Sequence, residues 1–257
     1  MDKNSIKVWQ GEHIFVALSG IIRPSKNIKT DDMIQVYIMC NDEPPTVASE
    51  SGLEALVCGD CQLRKHNAFD GSRTCYVNLG HAPDAVWHSV HDDEVQDVPL
   101  FLPPVRMGAH GDPVKMPRDV FMSIVEACGR QITGYTHQWF SMTYSERTFW
   151  QRWLMASIDH KALRQHSHKF SSRDINDVDA LAAWAQSRGW RTFSMGGAVD
   201  SIMCPNTTHG IKCVDCLLCN GTHRGNRVSI HIEPHGSGAH RYKEMTDLLT
   251  IGGMYAE

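Results

Sequence analysis

Apolar positions along this chain alternate between short β-prone runs and longer amphipathic stretches. Met33–Cys40 (MIQVYIMC) is almost continuously apolar, as expected of a strand covered on both faces. Val105–His110, Ile132–His137, Trp153–Ile158, Trp190–Met195, Asp200–Cys204 and Val228–Ile232 read as further strands. Between them the period becomes helical. In Pro117–Cys128, proline opens a helix, Val120, Phe121, Ile124 and Val125 form its apolar stripe, and Gly129 closes it. Asp177–Arg188 is an Ala-rich helix with Asn176 as its cap and Gly189 at its end, and Pro83–His91 reads as a third. Asn41–Thr74 reads as loop with one short helix, and the first 30 residues give no firm element.

Strands spaced by helices are the pattern of parallel βα units. The expected class is α/β, a complete or partial parallel βα barrel with cysteine-rich metal-binding loops; an open doubly wound sheet is the rival. No glycine-rich phosphate loop follows any of the strands, which counts against the common doubly wound nucleotide binders. One domain is expected over residues 1–257. It comprises an N-terminal extension (1–30), the barrel (31–235) with a cysteine loop at 58–75 and a cysteine insert at 204–219, and a tail (236–257).

A chain of 257 residues, 42% of them hydrophobic, can bury a sizeable core. No apolar run approaches the roughly 18 residues of a membrane span, and no signal-peptide pattern opens the chain. A soluble cytoplasmic protein with no membrane partner is therefore expected. The net charge of −4 gives no general pull toward nucleic acid.

Seven of the nine cysteines fall into two ligand-spaced groups, Cys58/Cys61/Cys75 and Cys204/Cys213/Cys216/Cys219. In a reducing compartment such clusters are more often metal ligands than disulfides. Three thiolates on a four-iron cluster leave one iron open, whereas four close the shell. For zinc, the second group forms a closed site, and the first needs His66 or His81 as a fourth ligand. Potentially reactive groups recur where the predicted strands end: His110 and Asp112; Thr136, His137 and Gln138; Ser157, Asp159 and His160; Cys204; Glu233 and His235. In a βα barrel those ends form the reactive mouth, and both cysteine groups are expected at or near it.

The combination of Cys58-Gly59-Asp60-Cys61, Cys75-Tyr76-Val77-Asn78, Gly108–Pro113 (GAHGDP), Thr133–Trp139 (TGYTHQW) and Ala156–Asp159 (ASID) resembles a family of phage and mobile-element proteins. The strand order is similar to that of the phage-encoded branch of the radical S-adenosylmethionine (radical SAM) enzymes. In that likeness Cys75-Tyr76 closes the cluster loop, and Gly108–Asp112 is the glycine-rich turn before a helix opened by Pro117. The loop usual in those enzymes is Cys-x3-Cys-x2-Cys; here it is Cys58-x2-Cys61-x13-Cys75. The resemblance implies a partial βα barrel with a 4Fe-4S cluster, S-adenosylmethionine and a second cluster near the C-terminus. Its cofactor-binding residues would be Gly108, His110, Gly111 and Asp112.

The leading expectation is thus an iron–sulfur, radical SAM-like enzyme modifying a small-molecule or nucleotide substrate, or nucleic acid, in a host-cell cytoplasm. Asp112, His137 and Asp159 are its catalytic candidates, with a turn-capping role open for Asp112. Two alternatives stand beside it. One is a zinc-dependent βα-barrel enzyme of transglycosylase type acting on a nucleobase, with Asp112, Asp159 or Asp215 as nucleophile or base. The other is a non-catalytic zinc or iron–sulfur protein that binds a host protein or nucleic acid through His223–Arg227.

Overall fold

The structure is a computed structural model that describes residues 3–61, 63–67, 73–159, 178–196, 200–225, 228–234, 239–240 and 243. Two five-stranded sheets organise it. In the first, β1 (Ser5–Gln10), β2 (Ile14–Ser19) and β3 (Ile34–Cys40) pair antiparallel, and β4 (Val105–His110) and β5 (Ile132–Thr133) continue in parallel. In the second, β6 (Tyr135–Thr136), β7 (Met155–Ile158), β8 (Thr192–Met195), β9 (Ser201–Met203) and β10 (Ser229–Ile232) are all parallel, in the order β6-β7-β8-β10-β9.

Helices α1 (Pro45–Ser51), α2 (Ala55–Cys58) and α3 (Ala82–Val90) lie between β3 and β4, and α4 (Arg118–Ala127) lies between β4 and β5. Helix α5 (Tyr144–Trp153) precedes β7, and α6 (Val178–Ser187) precedes β8. The short helices α7 (Pro205–His209) and α8 (Cys213–Cys216) lie between β9 and β10.

A single residue joins the sheets. Strands β5 and β6 are one stretch of chain interrupted at Gly134, the first half pairing with β4 and the second with β7. The Gly134 N–H is drawn away to the Cys219 carbonyl at 2.7 Å. A Cβ at Gly134 would meet Met107 Cβ at 2.9 Å and Leu154 Cδ2 at 3.0 Å, so the break needs glycine.

Parallel α/β architecture is as expected from the sequence, but no closed barrel forms among the described residues. The reason lies in the first 19 residues. They form a hairpin, and β2 pairs along the outer edge of β3, the edge a closing strand would need. Every residue of β3 is buried, matching its continuous apolar run. Ile34, Val36 and Ile38 join the core of Phe121, Ile124, Trp150 and Trp153, whereas Tyr37 and Met39 pack with Val86, Trp87 and Val90 of α3.

Local sequence rules explain the best-read elements. In α4, Pro117 caps in extended conformation, the predicted stripe of Val120, Phe121, Ile124 and Val125 is buried, and Gly129 follows with φ of 59°. Helix α6 falls within the predicted 177–188, although Asn176 and Asp177 lie outside the described residues. Helix α5 was not read from the sequence and takes up Trp153, the first residue of the predicted fourth strand.

A capping box starts α5. Thr143 Oγ1 accepts from the Glu146 N–H, and the Glu146 carboxylate takes the Thr143 N–H at 2.9 Å and its hydroxyl at 2.6 Å. These bonds hold the Glu146 carboxyl below its usual range. Thr143→Ala should cost about 1 kcal/mol, seen as a lower Tm in thermal unfolding near neutral pH. A depressed carboxyl stabilises most above its unfolded pKa and loses that effect as pH falls through its folded pKa. The Tm gap between parent and variant should therefore narrow in acid.

Candidate functional site

Cys58, Cys61 and Cys75 line one cleft. Cys58 ends α2, Cys61 follows one turn later, and Cys75 leads toward α3. Gly108, His110, Gly111 and Asp112 at the end of β4, with Tyr135 and His137 at the end of β6, line the same cleft. All of these sit at the carboxyl ends of parallel strands. The cleft is open to solvent and has a cavity volume of about 50 Å³.

Hydrogen bonds fix the cysteine turn against the strand ends. The Gln138 side chain donates to the Cys58 carbonyl at 3.0 Å and accepts from the Asp60 N–H at 3.1 Å. The Asp112 N–H reaches the Val57 carbonyl at 2.8 Å, and the buried Arg64 donates to the Gly59 carbonyl. Gly59 is required between the cysteines. Its φ is +55°, and a Cβ there would meet Gln138 Oε1 at 2.3 Å.

Burial dominates the electrostatics. It raises all three thiols, and for Cys58 the neighbouring Glu54 and the other two thiols add to the rise. Backbone N–H groups of Leu63 and Val77 point at the sulfurs of Cys61 and Cys75 and oppose it. Cys61 is buried and Cys58 and Cys75 are half-buried, and three thiols with N–H groups aimed at two of the sulfurs form a donor set that suits a soft thiophilic group. Among the described residues, no three His, Cys, Asp or Glu side chains form a group arranged to hold a single ion.

His110 is pushed down to about 3 by burial, and next by Arg73, and so presents a neutral imidazole. Burial raises Asp112, and its oxygens are occupied: Oδ1 accepts from the Val114 N–H at 3.2 Å and Oδ2 from the His137 N–H at 2.8 Å. Asp112 therefore caps the turn after β4, one of the two roles open to it in the sequence.

The second cysteine group lies elsewhere. The Cys213 N–H bonds to the Lys29 carbonyl ahead of β3, and the Cys219 carbonyl bonds to Gly134. Gly221 bonds to the Trp153 carbonyl ahead of β7. These are amino ends of parallel strands, so the loop carrying Cys213 and Cys219 returns toward that end, while Cys204 stands at the carboxyl end of β9 as expected. A parallel strand must be entered from its amino end, and the described residues 204–225 lead back to it ahead of β10. Cys204 follows β9, with its N–H on the His231 carbonyl at 2.9 Å. Burial raises the thiols of Cys213, Cys216 and Cys219, and other cysteines of the group add to the rise.

Other candidates separate. Asp159 is buried at the end of β7 and its charge acts on Cys61, but it does not line the cleft. His66 and His81 are exposed and outside the cleft, and Asp215 is exposed on α8. His223 bonds to the Arg130 and Arg152 carbonyls. His160, His235, Asn226 and Arg227 lie outside the described residues. All nine cysteines are free thiols, and burial pushes Cys40, packed in the core, up to about 12.

Sequence reasoning missed Arg73 and Tyr135, which line the cleft, and Glu54, whose Oε1 lies 4.0 Å from Cys58 Sγ. Tyr135 was legible, since it shares a strand face with His137 two residues on. Arg73 and Glu54 carry no such signal.

Comparison with protein-family models, curated proteins and solved structures finds no match. The functional argument therefore rests on the fold and the site.

Gly59→Ala should destabilise the protein by more than about 1 kcal/mol, because its φ is positive and Gln138 fills the space. In the folded variant, Cys58 and Cys61 should react faster with a thiol reagent such as Ellman's reagent. Parent-like melting and thiol kinetics would show that the turn is not held as described.

Proposed function

We propose that this protein is an iron–sulfur enzyme of the radical SAM type, built on a partial parallel βα barrel. One observation carries the reading: Cys58, Cys61 and Cys75 meet the 108–112 turn in a single cleft at the carboxyl ends of parallel strands. The series β3-β4-β5/β6-β7-β8-β10, continuous through Gly134, is the arrangement expected of such a barrel. For a lone zinc, neither His66 nor His81 lines the cleft as a fourth ligand.

When bound, a four-iron cluster with one open iron supplies the electron that cleaves S-adenosylmethionine reductively. The chain's own residues do the rest. Gln138 and Arg64 hold the cysteine turn, and positive φ at Gly108 and Gly111 lets the turn after β4 pack tightly against Pro113 and Ile38 at the cleft. His110 offers a neutral imidazole, and His137 stands at the rim with its N–H on Asp112. Tyr135, stacked on Phe193 at 4.7 Å, gives the cleft an aromatic wall suited to a planar ring. A nucleotide or nucleobase is the substrate class that fits this wall.

Anaerobically reconstituted protein should bind iron and sulfide and, once reduced with dithionite, release 5′-deoxyadenosine from S-adenosylmethionine. A Cys58→Ala/Cys61→Ala variant should give only background. Stoichiometric zinc without iron, or no 5′-deoxyadenosine from fully reconstituted protein, would overturn the reading.

A further inference from the structure

Strand alternation gives the sheets a face that helices α4–α6 do not cover. On β4, Val105 and Met107 join the core of Phe121 and Trp150, whereas Arg106 and Gly108 are half-buried on the opposite face. On β6 and β8 the half-buried positions are Tyr135, Phe193 and Met195. The Tyr135 and Phe193 rings stack at 4.7 Å with 4° between their planes, and Met195 packs against Cys61 and Leu63. Arg106 pairs in register with Thr133, two residues before Tyr135, and it stands two residues before Gly108 on β4. Gly108 and Tyr135 both line the cleft. Arg106 therefore sits on the same face, about 7 Å nearer the amino end than Gly108.

This guanidinium is uncommitted. Among the described residues Arg106 forms no ion pair, and its hydrogen bond runs from Nη2 to the Tyr76 hydroxyl at 3.4 Å. Tyr76 itself lines the cleft. The other arginine at the cleft is engaged. Arg73 Nη1 donates to the Val77 carbonyl at 2.7 Å and the Cys75 carbonyl at 3.3 Å, and its Nε stands 3.6 Å from Glu54 Oε1. Asp112, the carboxylate among the lining residues, accepts from the Val114 and His137 N–H groups. The cleft thus combines a planar aromatic wall with an arginine that keeps most of its donors unspent. A guanidinium fork of this kind matches a phosphate in two parallel hydrogen bonds.

We propose that Arg106 makes the cleft specific for a nucleoside phosphate. The base lies on the Tyr135 ring, and the phosphate takes the Arg106 fork, which Tyr76 holds at the cleft wall. A free nucleobase or nucleoside would use the aromatic wall alone. Arg106 is in this role a specificity residue. The inference rests on the nucleotide reading of the cleft and narrows it to the phosphorylated form.

Isothermal titration calorimetry on the anaerobically purified full chain tests it. The probes are the 5′-monophosphates of adenosine, guanosine, cytidine and thymidine, the matching nucleosides, inorganic phosphate and S-adenosylhomocysteine. At least one monophosphate should bind about tenfold tighter than its nucleoside, the scale of hydrogen bonds to a charged group. Arg106→Met should erase that ratio by weakening the monophosphate alone, and Arg106→Lys should keep part of it. Tyr135→Leu should weaken monophosphate and nucleoside alike and leave the ratio standing. Equal affinity for the two in the parent, no binding of any monophosphate, or a ratio that survives Arg106→Met would overturn the proposal. A matching loss of S-adenosylhomocysteine in Arg106→Met would assign the guanidinium to the cofactor's carboxylate and overturn it as well. Should Arg106→Met not fold, inorganic phosphate decides: it should displace the monophosphate but not the nucleoside from the parent, and failure to do so overturns the proposal. None of these readouts needs turnover, so absence of 5′-deoxyadenosine counts only against the radical SAM reading.

Discussion

Parallel pairing forces each connection to leave the carboxyl end of one strand and enter the next from its amino end, and the rest of this structure follows from that constraint. The connection after β3 turns back against the ends of β4 and β6, so Cys58, Cys61 and Cys75 meet residues 108–112 and His137. The connection before β10 must reach the amino end, and there Cys213 and Cys219 bond to Lys29 and Gly134. Cys213 and Cys219 are thereby drawn to the end opposite the cleft, although Cys204 ends β9. Gly134 takes part in this, because the break that joins the sheets also frees the N–H that holds Cys219.

The parallel elements were legible in the sequence because their signals are local. Val105–His110 matches β4 residue for residue, and the apolar stripe of α4 is buried as its period requires. The N-terminal hairpin was not legible. Its strands are six residues each, and their burial depends on pairing with β3, which no local pattern announces. That hairpin occupies the edge a closed barrel would use. Helix α5 carried a readable start in Thr143 and Glu146, but its polar surface hid the apolar stripe ending at Trp150 and Trp153.

For the site, spacing correctly grouped the cysteines of the cleft, and strand alternation brought Gly108, His110 and His137 to it. Spacing could not tell which end of the sheet the second group would reach, since that depends on where the next strand begins. Nor could it assign Asp112, whose place in the turn is decided by bonds to Val114 and His137 from two different elements. Groups that tune the thiols, Glu54, Arg73 and Arg191, are isolated charges in the sequence and acquire meaning only from what burial places beside them.

The two ends treat charge in opposite ways. In the cleft a buried carboxylate, Glu54, lies 4.0 Å from Cys58 Sγ, with Arg73 3.6 Å from the same oxygen. At the amino end the buried group is a cation, Arg191, which among the described residues donates to backbone carbonyls and to Asn220. The cleft thus carries a carboxylate already answered by a guanidinium, whereas carbonyls at 218, 220, 221 and 228 answer Arg191 through hydrogen bonds.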